Sequence, residues 1–378
     1  MAIKQQHLNA QDFYTDNINW LQKFRFACNF NPTHLDWLIA TGQISKSITP
    51  KTVVDFLKKH NIKQLRMGIH LDHALKLDEQ LEHPQADLSY YQPWLDSFAM
   101  AGIQVILCAG IKSPRWPEIH LSEDLLMKLY GGRIPHAGYV IDLNDPLAKF
   151  ALAFQKDFFT KLSQKNYHNI VAIQPENEPL NQFGIHHWTI HPEVILAEVD
   201  QVLKFFPSVE VLLNSSIAGG QIDRSAKILN KALSLWPQIT TCLGINLYLV
   251  TPRADFFHRI ISTFTNLIRS NGLKLLPKIN QTHRLEVTEW QFERWLDDRD
   301  HSADLILPGS NFAWMCDALT KTARILYGKN FASGQNNTTP INLSLWGVEE
   351  FIVACECENP KSNISQISQL IELLNRVK

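Results

Sequence analysis

The sequence predicts a (β/α)8 barrel, and three observations carry that prediction. Eight short apolar runs recur along 378 residues, helical spacing fills the segments between them, and two glutamate-bearing motifs stand at the carboxyl ends of runs four and seven. On this fold the chemistry gathers at those strand ends.

The runs are Phe24 to Phe30, Gln64 to Ile69, Val105 to Ala109, Ile170 to Gln174, Val209 to Asn214, Leu243 to Leu247, Arg284 to Glu289 and Ile341 to Trp346. Thr49 and Pro50 predict a helix start, with Val53, Val54, Phe56 and Leu57 turned inward and a stop near His60 and Asn61. Pro192 opens another helix, whose stripe of Val194, Ile195, Val199, Val202 and Leu203 ends before Pro207. From Ile364 to Leu374 the pattern repeats, with Ile367, Leu370, Ile371 and Leu374 on one face. The longer gaps, Lys112 to Pro146 and Gln291 to Asn311, read as rim loops. One catalytic domain spanning 1–378 is expected, with the polar residues 1–20 as an amino-terminal extension.

Composition narrows the function. Lys and Arg number 36 against 37 Asp and Glu, which lacks the electrostatic footprint of a nucleic-acid binder. No run of about 18 apolar residues predicts a membrane span, and the first residues lack the apolar core of a signal peptide, so a cytoplasmic location is expected. The six cysteines, Cys28, Cys108, Cys242, Cys316, Cys355 and Cys357, are scattered and read as free thiols. A neutral sugar or polysaccharide is the expected partner; oligomeric state is not readable.

The fourth run ends in Pro175-Glu176-Asn177-Glu178-Pro179, and the seventh in Thr288-Glu289-Trp290. Strands four and seven face each other across a barrel mouth, so Glu178 and Glu289 are brought together. Two opposed carboxyl groups are the requirement of glycoside hydrolysis, one protonating the leaving oxygen and the other attacking the anomeric carbon. No cofactor and no metal enter that chemistry. Glu286 lies three residues before Glu289, and strict alternation places it on the opposite face, in a structural ion pair with a base of an outer helix.

The Asn177-Glu178-Pro179 and Thr288-Glu289-Trp290 pair resembles clan A of the retaining glycoside hydrolases, which includes cellulase-like and β-xylosidase-like families. The resemblance implies that Glu178 is the acid/base, Glu289 the nucleophile, and Asn177 the partner of the sugar 2-hydroxyl. Arg66 resembles the strand-two arginine beside the nucleophile, Tyr248 the tyrosine that hydrogen-bonds it, and Trp346 the tryptophan floor under the sugar. Trp116 and Trp290 offer further aromatic faces for a pyranose, and His70 a donor for a hydroxyl. The sequence departs from the clan pattern at Asn246, where cellulase-like members carry histidine, and at Ala109-Gly110-Ile111-Lys112, which lacks the histidine expected after strand three. Glu176 adds a carboxylate beside the motif.

Two other readings compete. His70, Asp72 and His73, with His186, His187 and His191 and with Glu176 or Glu178 as a further ligand, would suit a divalent-metal sugar isomerase or hydrolase. A barrel that binds sugar without cleaving it is the third.

Overall fold

The computed structural model describes residues 9–42, 48–76, 84–216, 221–248, 283–291, 312–327, 340–349, 351–352 and 364–376. Eight parallel strands close into a barrel: β1 Phe24–Phe30, β2 Gln64–Gly68, β3 Gln104–Cys108, β4 Ile170–Gln174, β5 Glu210–Ser216, β6 Thr241–Tyr248, β7 Arg284–Gln291 and β8 Ile341–Leu345. Neighbours pair in chain order, and β8 closes on β1 from Phe24 opposite Ile341 to Cys28 opposite Leu345. Every predicted run is a barrel strand.

The three predicted helices form at Pro50–Lys59, Pro192–Phe205 and Ile364–Arg376. The first starts where Thr49 accepts from the Thr52 amide and Pro50 pre-sets the first turn; Val53, Val54, Phe56 and Leu57 are buried. The longest described helix, Pro146–Ser163, begins the same way with Asp145 as its cap, and seats Phe150, Phe154, Phe158 and Phe159 in the core. Each such side chain contributes roughly 1.5–3 kcal/mol through burial. Part of the segment expected as an extension is helical: Ala10–Leu21 buries Phe13, whose ring meets Phe312 edge-on at 6.4 Å. Cys28, Cys108, Cys242 and Cys316 are buried free thiols, whereas Cys355 and Cys357 lie outside the described residues. Among the described residues no helix is long and apolar enough to cross a membrane.

Alternation sorts the strand residues into an inner and an outer face. Inside, Ile106, Ala172, Leu212 and Cys242 form an apolar layer across β3 to β6. Above it, toward the carboxyl ends, the inward residues are polar: Asn29, Arg66, Gln174, Asn214, Asn246 and Glu289, all buried.

Strand β7 breaks the alternation. Ile245 of β6 pairs with Val287 and Asn246 with Glu289, so Thr288 is an extra residue, a bulge. The expectation for Glu286 is thereby corrected. Glu286 and Glu289 share the inner face, because the bulge adds one residue between them. Glu286 accepts from the Gln64 amide across the barrel interior, and its ion pair is with Arg284 of its own strand at 2.6 Å, not with an outer helix. Gly244 makes room for the bulge: a Cβ there would lie 2.6 Å from Thr288 Cγ2 and 2.8 Å from Asn214 Cβ.

Candidate active site

Buried polar residues at the carboxyl ends of β1, β4 and β7 converge on Arg66 of β2. Its guanidinium donates from Nη1 to Glu289 Oε1 at 2.9 Å and to Asn29 Oδ1 at 2.8 Å, from Nε to Gln174 Oε1 at 2.7 Å, and from Nη2 to Asn177 Oδ1 at 2.7 Å. All of these groups are buried, and the planar fork of an arginine suits several fixed acceptors at once. Arg66, Asn177 and Glu289, from three different strands or their ends, are thus one unit.

Glu178 joins this unit through amides. Asn246 Nδ2 donates to Glu178 Oε1 at 2.8 Å, while Asn214 Nδ2 reaches Asn177 Oδ1 at 2.9 Å and Asn246 Oδ1 at 3.3 Å. Asn214 Oδ1 accepts from the Glu178 backbone amide at 2.7 Å and from Gln174 Nε2 at 2.8 Å. Thr288, placed inward by the bulge, donates to Asn246 Oδ1 at 2.7 Å. Asn246, where the sequence departs from the cellulase-like members, is therefore the donor to the Glu178 carboxyl. Burial, and next the charge of Glu289, push the Glu178 carboxyl up to about 8. One carboxyl group faces a guanidinium and the other an amide.

Beneath Glu178 the structure holds more charge. Glu176 accepts the backbone amides of Ile111 and Lys112, each at 2.7 Å, and Gly110 permits this approach, since a Cβ there would lie 1.9 Å from the Pro175 carbonyl oxygen. Behind it, Gln155 bridges Ala109 O at 2.7 Å and Glu198 Oε1 at 2.9 Å. Burial raises the proton affinity of both Glu176 and Glu198, and the Glu176 charge adds to it at Glu198. Lys112 Nζ donates to the carbonyl oxygens of Asn181 at 2.9 Å and Glu178 at 3.3 Å, and pairs with Glu118 Oε2 at 2.7 Å. Glu178 itself has φ of +42°, a left-handed conformation rare outside glycine.

The remaining predicted positions divide. Trp346, half-buried just past β8, has the Arg115 guanidinium 4.7 Å from its ring centroid, and Arg115 is held by Glu349 at 2.5 Å. Trp116 stands 68% exposed on the loop after β3, and Phe183 is 54% exposed on the loop after β4. Those loops touch at Gly184, where a Cβ would be 2.6 Å from the Pro117 carbonyl oxygen. The expectation for Trp290 is corrected. It follows the inward Glu289 and so faces outward, fully buried, with Nε1 donating to Thr322 at 2.9 Å and its ring 5.7 Å from Phe26. His70 is also enclosed: Thr33 Oγ1 lies 2.9 Å from Nδ1, and Asn31 Nδ2 and Pro114 O lie 2.5 and 3.0 Å from Nε2. The backbone of Tyr248 ends β6, and its side chain lies outside the described residues, as does the loop after Gln291.

Metal ligation fits this arrangement poorly. Among the described residues His70, Asp72 and His120 come within ligand distance of one another, but the two imidazoles are stacked at 3.3 Å with 12° between planes. Their in-plane lone pairs then run side by side instead of converging on one ion. His186 stacks on Trp188, His187 meets Gln182 O at 3.0 Å, and His191 caps a helix, so none of them joins Glu178.

Asn29, Gln174, Asn214, Asn246, Lys112 and Glu118 belong to the site beyond the residues expected there. The signal for the amides was a polar residue at or near the end of an apolar run, the same signal that marked Glu289.

No family model matches the chain, and no curated protein matches it. Solved structures do resemble it: a GH5-4 broad specificity endoglucanase from Clostridium acetobutylicum, 10% identical with a TM-score of 0.50, covers 98% of this chain and 100% of that one. A GH5 family lichenase from Caldicellulosiruptor sp. F32, also 10% identical with a TM-score of 0.50, covers 94% of this chain and 95% of its own. A likeness at that identity is one of fold, and the fold it shares with this chain is the (β/α)8 barrel with strands in chain order.

Proposed function

We propose that this chain is a retaining glycoside hydrolase of the clan A type, cleaving a β-glycosidic bond in an oligo- or polysaccharide. The observation that carries the reading is the different company of the two carboxyl groups: Arg66 beside Glu289, and the Asn246 amide beside a buried Glu178 that favours its proton.

In the first step Glu289 attacks the anomeric carbon, the bond from that carbon to the leaving oxygen breaks, and the proton of Glu178 passes to that oxygen. In the second, Glu178, now a carboxylate, takes a proton from water as its oxygen bonds to the anomeric carbon, and the Glu289 ester is released. Asn177, fixed by Arg66 and Asn214, is the group offered to the sugar 2-hydroxyl. Trp346 and the exposed rim of Trp116 with Phe183 suit the C–H faces of successive sugar rings.

Incubation with a panel of 2-deoxy-2-fluoro β-glycosides and intact-protein mass measurement tests this. A covalent glycosyl adduct in the natural protein, absent from Glu289→Gln, is expected. Absence of an adduct together with chelator-sensitive turnover would overturn the reading in favour of a metal enzyme.

A further inference from the structure

Lysine is among the residues least often buried without a partner, and Lys112 is fully buried with every donor direction accounted for by three oxygens. Two are the carbonyls of Glu178 and Asn181, the ends of the turn that carries the candidate acid; the turn is closed by the Asn181 amide on Glu178 O at 2.9 Å. The third belongs to Glu118, itself at φ of +71° on the loop after β3. The backbone of Lys112 is held as firmly as its side chain. Its amide binds Glu176, and its carbonyl accepts from the Asn177 amide at 2.9 Å. The loop after β3 thus grips the end of β4 from both sides of Glu178.

We propose that Lys112 is a positioning residue for Glu178: its ammonium clamps the turn 178–181 that begins at the left-handed Glu178, and the Lys112–Glu118 pair is the tunable charge against which the acid holds its proton. This rests on the acid/base reading of Glu178. The charged groups facing Glu178 are Glu289 from β7, Glu118 and Lys112 from the loop after β3, and, one amide away, Arg66 from β2. Around Lys112 itself stand Glu118, Glu176 and the Glu178 turn. Lys112 favours the ionised form of Glu178, and Glu118 opposes it, so removing one or the other must move Glu178 in opposite directions.

The test reads the proton directly and needs no substrate. The full chain carrying carboxyl-13C glutamate is titrated by NMR, and the Glu178 signal is identified by its loss in Glu178→Gln. Lys112→Met is expected to move that midpoint to higher pH by about one unit, a tenfold change in proton affinity. Lys112→Arg, which keeps the charge, restores it, and Glu118→Gln moves it to lower pH. An unmoved midpoint in folded Lys112→Met overturns the proposal. If Lys112→Met does not fold, Glu118→Gln decides alone: a lowered midpoint supports the proposal and an unmoved or raised one overturns it. Shifted midpoints in a protein that forms no glycosyl adduct would leave the charge wiring standing and remove only the glycosidase reading.

Discussion

The Glu178 carboxyl sits 4% exposed at the centre of a layer of amides, with the Glu289 charge nearby, and both facts favour its protonated form up to about pH 8. Activity that needs it as an acid is expected to fall as pH rises through that value, and the basic limb of the kcat/KM profile checks this. Stability carries the same signature. Between the ordinary glutamate value of 4.5 and about 8, the folded chain keeps a proton that the unfolded chain releases, so stability declines as pH rises through that window. Glu178→Gln, which cannot ionise, is expected to gain in Tm over the natural protein at pH 9 relative to pH 5. In turnover the same variant should lose roughly 10²- to 10⁴-fold on substrates with poor leaving groups. Glu289→Gln should abolish turnover with an unchanged circular dichroism spectrum. At this scale the two glutamates and Asn177 were legible in the sequence because they stand at or beside the end of an apolar run, whereas Arg66, inside its run, was singled out by resemblance to the clan pattern. Lys112 was not, since a lysine in a loop reads as solvated and only the fold encloses it.

Strand β7 shows where reading by element holds and where it stops. Its position and length follow from the apolar run, but the bulge at Thr288 depends on how many residues of β6 stand opposite, and no single strand contains that count. For the same reason Glu286 was assigned to the wrong face, whereas Trp290 faces outward by simple alternation from Glu289. Two predictions belong to these elements. Gly244→Ala, forced against Thr288 and Asn214, is expected to lower stability by about 1–3 kcal/mol in denaturant unfolding, with the larger loss in activity because Thr288 and Asn246 both shift. Trp290→Ala should cost about 3–5 kcal/mol of stability by opening a cavity under the Phe312–Tyr327 helix, while KM measured on folded protein at low temperature stays unchanged. A raised KM would place the indole in the cleft after all.

Over the whole molecule the barrel was legible because eight similar runs each need a partner on both sides and helices over their outer faces, and closure meets that need for all of them together. The amide network was less so: Asn29, Gln174 and Asn214 are polar residues in apolar runs, and only closure brings Asn29 and Gln174 to one guanidinium, with Asn214 one hydrogen bond further out. The thiols belong to this scale too, because they are protected by the fold as a unit. Cys28, Cys108 and Cys242 are expected to resist a maleimide until global unfolding, as mass spectrometry across a denaturant series would show. Finally, the apolar layer of Ile106, Ala172, Leu212 and Cys242 on β3 to β6, together with the Gln64–Glu286 contact from β2 to β7, fills the barrel interior below the polar layer around Arg66. A sugar bound as proposed then has one doorway for both arrival and departure, so a released glycone would compete with the next substrate for the same passage. Inhibition by the reducing sugar product, competitive in form, is the kinetic trace such a blind-ended vessel should leave.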